Sequence, residues 1–135
     1  MEQSSTNGSQ GLGRHLRLKS RKKIQALFRE GFAFSSGPVR TVAMLYTDES
    51  PRLQAGFTVG SRHFSRAVDR NRIKRLLKEA WRLQRAPLEE AVSMGTRSLD
   101  VFLIFSGREL PIYSDLSERV KKAIERLSKT VADGK

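Results

Sequence analysis

No cysteine occurs in the 135 residues, which excludes a disulfide framework and a thiolate metal site. Long apolar runs are missing as well. The longest, Val101 to Phe105, falls far short of a membrane-spanning helix. The opening stretch MEQSSTNGSQGLG lacks the apolar centre of a secretory signal, so a reducing cytoplasm is the expected location. Histidine occurs twice, as His15 and His63, and nothing in the sequence orients either ring for acid–base work. Carboxylates are scattered as Asp48-Glu49, Glu89-Glu90 and Asp100, none spaced for a two-metal site. No GxxxxGK[ST] loop is present to cradle a nucleotide. Hydrolytic chemistry carried by the protein itself is therefore without support.

Acidic residues are also scarce, 14 against 26 Lys and Arg, for a formal net charge of +12 and a pI near 10.9. Such a chain seeks nucleic acid, an anionic membrane surface or an acidic protein. Residues 1–13, rich in Ser, Gly, Gln and Asn, read as a flexible tail. A single domain is expected over 14–130, with a short tail at 131–135.

Ser20 is placed to cap a helix carrying Ile24, Leu27 and Phe28 on one face, with Gly31 at its C-terminus. Phe32 to Ser36 reads as a short strand closed by a Gly37-Pro38 turn. Val39 to Tyr46 and Leu53 to Gly60 read as two more, joined through DESPR. A long basic helix follows from about Arg66 to Arg85, with Pro87 expected to stop it. LDVFLIF, residues 99–105, suits a central strand buried on both faces. A last helix opens at Ser114 or Asp115 and turns Leu116, Val120, Ala123, Ile124 and Leu127 inward. The order αβββαβα makes an α+β sandwich of two layers on a mostly antiparallel four-stranded sheet.

From Ser61 to Arg85 the chain holds nine basic and two acidic residues, so more than half of the net charge lies there. Helical periodicity puts Ile73, Leu76, Leu77, Ala80 and Leu83 toward the core and lines up Arg70, Lys74, Lys78 and Arg82 opposite, with Asn71, Arg75 and Arg85 beside them. The basic face is too uniform for pairing within the helix, because only Glu79 is at hand to neutralise it. A solvated face is the ordinary meaning of a charge run. Here the charge is too concentrated, and arginine at the helix entry favours forked contacts to phosphate. A membrane helix would need its apolar face free for lipid, and the sheet takes it. A DNA-recognition helix would carry base-reading side chains near its N-terminus rather than a continuous basic row. Nucleic acid is the expected partner.

Arg70-Asn71-Arg72, continued as Ile73-Lys74-Arg75-Leu76-Leu77-Lys78-Glu79, resembles the signature of the protein component of bacterial ribonuclease P. GFTVG (Gly56 to Gly60), Ala67-Val68, Arg17-Leu18-Lys19, Leu27-Phe28-x-x-Gly31 and Asp100-Val101 stand in the matching order over about residues 16–127. The resemblance implies the ribosomal-protein-S5-domain-2-like fold with a left-handed βαβ crossover, against the usual right-handed rule. It also implies a role in 5′ maturation of precursor tRNA, with catalysis and most of the required magnesium held by a large RNA subunit. Arg62, Arg66, Arg70, Asn71, Arg72, Lys74, Arg75, Lys78 and Arg82 would then face that RNA subunit. Ile24, Phe28, Arg40 and Val42 would line a cleft between the first helix and the sheet for the single-stranded 5′ leader. No membrane or DNA partner is implied. Two positions depart from the family: Ile24 replaces a customary aromatic ring and Ser61 a common lysine. Arg108, within Ser106-Gly107-Arg108, matches only loosely. A general RNA-binding protein on the same scaffold is the alternative.

Overall fold

The computed structural model describes residues 21–60 and 62–133. Its elements are α1 (Arg21–Glu30), β1 (Phe32–Ser36), β2 (Val39–Thr47), β3 (Leu53–Val59), α2 (Ala67–Gln84), α3 (Ala86–Ser93), β4 (Arg97–Phe105) and α4 (Tyr113–Ala132). Ser20 lies outside the described residues. One element was not expected. Pro87 follows the end of α2 and also sits in the first turn of α3, where its missing N–H leaves no hydrogen bond unmade. Leu88 and Val92, four residues apart and fully buried, give α3 its apolar side. The final helix starts at Tyr113 rather than at Ser114 or Asp115. Extended Ile112 precedes it without a side-chain cap. At its other end α4 continues to Ala132, with Val131 packed against the core, past the domain end expected at 130.

The sheet order is β1-β2-β4-β3. β1 with β2 and β2 with β4 run antiparallel, and β3 with β4 runs parallel. LDVFLIF is thus interior to the sheet, and the chain reaches it from β3 by a crossover through α2 and α3. Alternation along β4 divides its side chains. Leu99, Val101, Leu103 and Phe105 join the large core beneath α2, α3 and α4. Phe102 and Ile104 point to the other face, where Ile24, Leu27, Val42 and Met44 form a smaller cluster under α1. The α+β class and mostly antiparallel sheet are as expected, and α1 adds a partial third layer.

Two glycines are required by position. At Gly31 a Cβ would come within 2.5 Å of the Ala43 carbonyl oxygen and 2.6 Å of that of Leu27, so only glycine lets the chain pass from α1 into β1. Gly37 adopts φ +57° in the β1–β2 turn, a left-handed conformation that costs other residues more.

On α2 the buried stripe is Ile73, Leu77, Ala80 and Trp81, with Leu76 partly covered. Leu83, expected inside, is 59% exposed. It lies about 100° around the helix from the stripe's centre, which Gln84 occupies instead. The Gln84 amide donates to the Ala80 carbonyl at 3.0 Å and to the Ser117 carbonyl at 3.1 Å, satisfying itself between α2 and α4. Trp81 meets Phe57 of β3 edge-on, with centroids 6.3 Å apart.

The α1 face also holds a polar cluster. Lys23 Nζ donates to Tyr46 Oη and Gln54 Oε1, both at 3.3 Å, and Tyr46 Oη donates to Asp100 Oδ1 at 3.3 Å. Asp100 is 1% exposed and its Oδ2 has no partner. Burial pushes its carboxyl above the usual range, although the Lys23 charge opposes this. A raised carboxyl pKa means the folded state holds the proton longer than the unfolded one. Stability therefore falls as pH rises from the unfolded value, about 3.9, through the folded one.

Two outcomes follow from this packing. Trp81→Ala should cost roughly 3–5 kcal/mol in denaturant unfolding, whereas Leu83→Ala should stay within about 0.5 kcal/mol. Asp100→Asn keeps an acceptor for Tyr46 and removes the charge. Its melting temperature should gain on the wild type as pH climbs through that window and level off above it; a pH-independent difference would refute the assignment.

Candidate nucleic-acid interface

The entry to α2 is built by Phe64 and Arg70. Phe64, 7% exposed, packs against Phe105 with ring centroids 6.1 Å apart and ties the loop after β3 to the core. Arg70 Nη1 donates to the carbonyl oxygens of Phe64 and Ser65, both at 2.8 Å. The first arginine of the Arg70-Asn71-Arg72 signature thus also braces the loop. Arg66 stands at the N-cap with extended backbone and no side-chain cap hydrogen bond. Arg62, Arg66, Asn71, Arg72, Arg75, Lys78 and Arg82 are exposed, while Arg70 and Lys74 are half-buried.

Charge is unevenly compensated along α2. Arg82 grips Glu79 with both arms, Nε to Oε1 at 3.2 Å and Nη2 to Oε2 at 2.8 Å, which holds its pKa above the ordinary arginine value. Arg85 reaches Glu89 at 3.3 Å. The expectation that this helix is too uniformly basic for internal pairing is therefore corrected at its C-terminal end. Toward the N-terminus, Arg62, Arg66, Arg72, Lys74 and Arg75 make no ion pair among the described residues. Asp69 is the one acidic residue in the first turn. The helix's own N-terminal partial charge is positive and adds to theirs. Positive charge is thus left uncompensated at this end of α2.

On the other face of the sheet, Phe28 is 50% exposed and stands edge-on to Phe102, with centroids 5.5 Å apart at 77°. Arg40 is exposed on β2, paired in register with Ile104. Ile24 is half-buried beside Leu27, and Val42 is 4% exposed, packed with the same leucine. Of the four cleft candidates, Phe28 and Arg40 offer open surface, Ile24 offers part of its side chain, and Val42 lies in the floor. Phe102 and Ile104 belong to this face too and were missed in the sequence. Their alternation with Val101 and Leu103 was visible, but an apolar run does not reveal that α1 covers its second face. His63 is exposed, and Arg108 lies in the loop after β4. His15, Ser61 and the Arg17-Leu18-Lys19 stretch lie outside the described residues. Among the described residues, no three His, Asp or Glu side chains gather as a metal would need.

The ribonuclease P protein family matches residues 12–128, a span that contains both surfaces. The chain belongs to that family. A ribonuclease P protein component from Porphyromonas gingivalis is 30% identical over 122 residues, covering 90% of this chain and 89% of the relative. One from Chlorobaculum tepidum is 31% identical over 119 residues, covering 84% and 77%. Among solved structures, the ribonuclease P protein from Thermotoga maritima superposes with a TM-score of 0.63 at 19% identity, over 82% of this chain and 96% of that one. The Staphylococcus aureus protein gives 0.63 at 15% identity, over 84% and 95%. At such identities the structural likeness bears on the fold alone. No helix among the described residues is long and apolar enough to cross a membrane.

In this ribonuclease P family member the brace formed by Arg70 is open to a direct check. Arg70→Ala should speed amide exchange in the 64–66 segment by about tenfold, as expected for losing charged hydrogen bonds worth ~1.5 kcal/mol. Arg72→Ala should leave that segment unchanged.

Proposed function

We propose that this chain is the protein subunit of a ribonuclease P ribonucleoprotein, which removes the 5′ leader from precursor tRNA by endonucleolytic cleavage. The observation that carries the reading is the uncompensated basic end of α2 at the family's signature residues. Its arginine forks suit phosphate oxygens of the catalytic RNA subunit, and Asn71 brings a donor and an acceptor to a base or sugar. Placing these cations among closely spaced phosphates relieves their repulsion. The assembled particle then needs less magnesium, which the RNA rather than the protein holds. The protein contributes no catalytic group in this reading. Its second task is to receive the single-stranded leader at Phe28 and Arg40, because stacking on an aromatic face tolerates any base. The particle works in the cytoplasm.

The test is cleavage of a precursor tRNA at low magnesium by a bacterial ribonuclease P RNA, with and without the protein. Cleavage at the mature 5′ end only when both are present is the expected result. Arg72→Ala should raise the magnesium requirement. Phe28→Ala should weaken precursor binding by the ~1–3 kcal/mol of one stacked base while leaving mature tRNA binding unaltered. Tight RNA binding without stimulated cleavage would favour a general RNA-binding protein, and cleavage by the protein alone would make it a nuclease.

A further inference from the structure

A second basic row, on α4, has no part in the reading above. Arg119, Lys122, Arg126 and Lys129 fall within an arc of about 80° beside the buried stripe of Leu116, Val120, Ala123, Ile124 and Leu127. All four are exposed. Although Glu118 and Glu125 share the helix, none of the four is ion-paired among the described residues, unlike Arg82 and Arg85 of α2.

α4 packs on β1, one edge strand of the sheet, and on β2, and two members of the row meet β1 and its turn. Arg119 lies over the β1–β2 turn, where a Cβ on Gly37 would stand 2.7 Å from its Nε. The Arg126 guanidinium covers the Phe34 ring at 4.5 Å from its centroid. Phe34 in turn stacks with Phe32 at 6.5 Å and 18°, and Phe32 is 36% exposed. Three planar groups therefore follow one another from the helix to the sheet edge, alongside a line of unpaired cations. Cations for phosphates next to an accessible ring for bases are the pairing that binds single-stranded RNA.

We propose that the α4–β1 margin holds the upstream part of the precursor's single-stranded leader, beyond the portion received at Phe28. The inference rests on the function proposed above. Phe32 stacks with Phe34 on the face opposite α1, so a leader continuing from Phe28 rounds the β1 edge to reach the row. α2 packs on β3, at the other edge of the sheet, and also on α4, so the RNA-subunit contacts and the row are told apart by assembly of the holoenzyme.

The experiment measures binding of three RNAs to the reconstituted holoenzyme: a long-leader precursor, one whose leader ends at the cleft, and mature tRNA. The variants are the triple change Arg119→Gln, Lys122→Gln and Lys129→Gln, which spares the Arg126–Phe34 contact, and separately Phe32→Ala. With the triple variant, long-leader affinity should drop about tenfold. The slope of log affinity against log salt should become shallower by about two, at ~0.7 per single-strand phosphate contact. The short-leader precursor and mature tRNA should bind as to wild type. Phe32→Ala should weaken the long-leader complex alone. Equal loss on the short-leader precursor, no loss on either, or impaired assembly with the RNA subunit would each overturn the proposal. Cleavage of both precursors by wild type checks the underlying function separately, since it does not require the α4 row.

Discussion

Every surface discussed above takes its position from β4. This strand pairs with β2 on one side and β3 on the other, along most of its length, and it is covered by helices on both faces. A parallel β3–β4 pair demands a long connection, and α2 with α3 are that connection. The basic helix is therefore held over the sheet as the crossover itself. Its apolar side, Ile73, Leu77, Ala80 and Trp81, has no alternative but the large core. Its charged side is left outward on a rigid support.

Electrostatics divide the molecule in a second way. Repulsion among like charges at helical spacing weakens a helix by a few tenths of a kcal/mol per pair. At the C-terminal end of α2 that cost is offset internally by Glu79 and Glu89. Toward its N-terminal end it is left standing, next to the helix's positive dipole end. In the proposed function an RNA surface supplies the counter-charge. The α4 row repeats the pattern of unpaired cations, steadied by Arg126 on Phe34 of β1.

The element order was legible because hydrophobic periodicity follows directly from local geometry. LDVFLIF could be called a central strand because a run with no polar alternation must be covered on both faces. The run itself does not say what covers the second face, which only the family resemblance implies to be the first helix, and the packing shows Phe102 and Ile104 there with Val42 in the floor. The exchange of Leu83 for Trp81 has a similar cause. A basic amphipathic helix allows its apolar stripe to be drawn some tens of degrees either way, and the packing of Trp81 on Phe57 decides it. Pro87 reads as a stop in the sequence because proline ends helices more often than it announces the next.

The sequence by itself determined the basic character, the run of elements, the family signature at Arg70-Asn71-Arg72 and the absence of thiol or nucleotide-loop chemistry, since each of these is written in residue type and spacing. Tertiary structure alone decided how those charges are used. It turned Arg70 Nη1 inward to the Phe64 and Ser65 carbonyls, paired Arg82 with Glu79, and laid Arg126 over the Phe34 ring of β1. A charged side chain's role depends on which carboxylates, carbonyls and rings lie within a few ångströms of it, and apart from helical neighbours those groups come from distant parts of the chain.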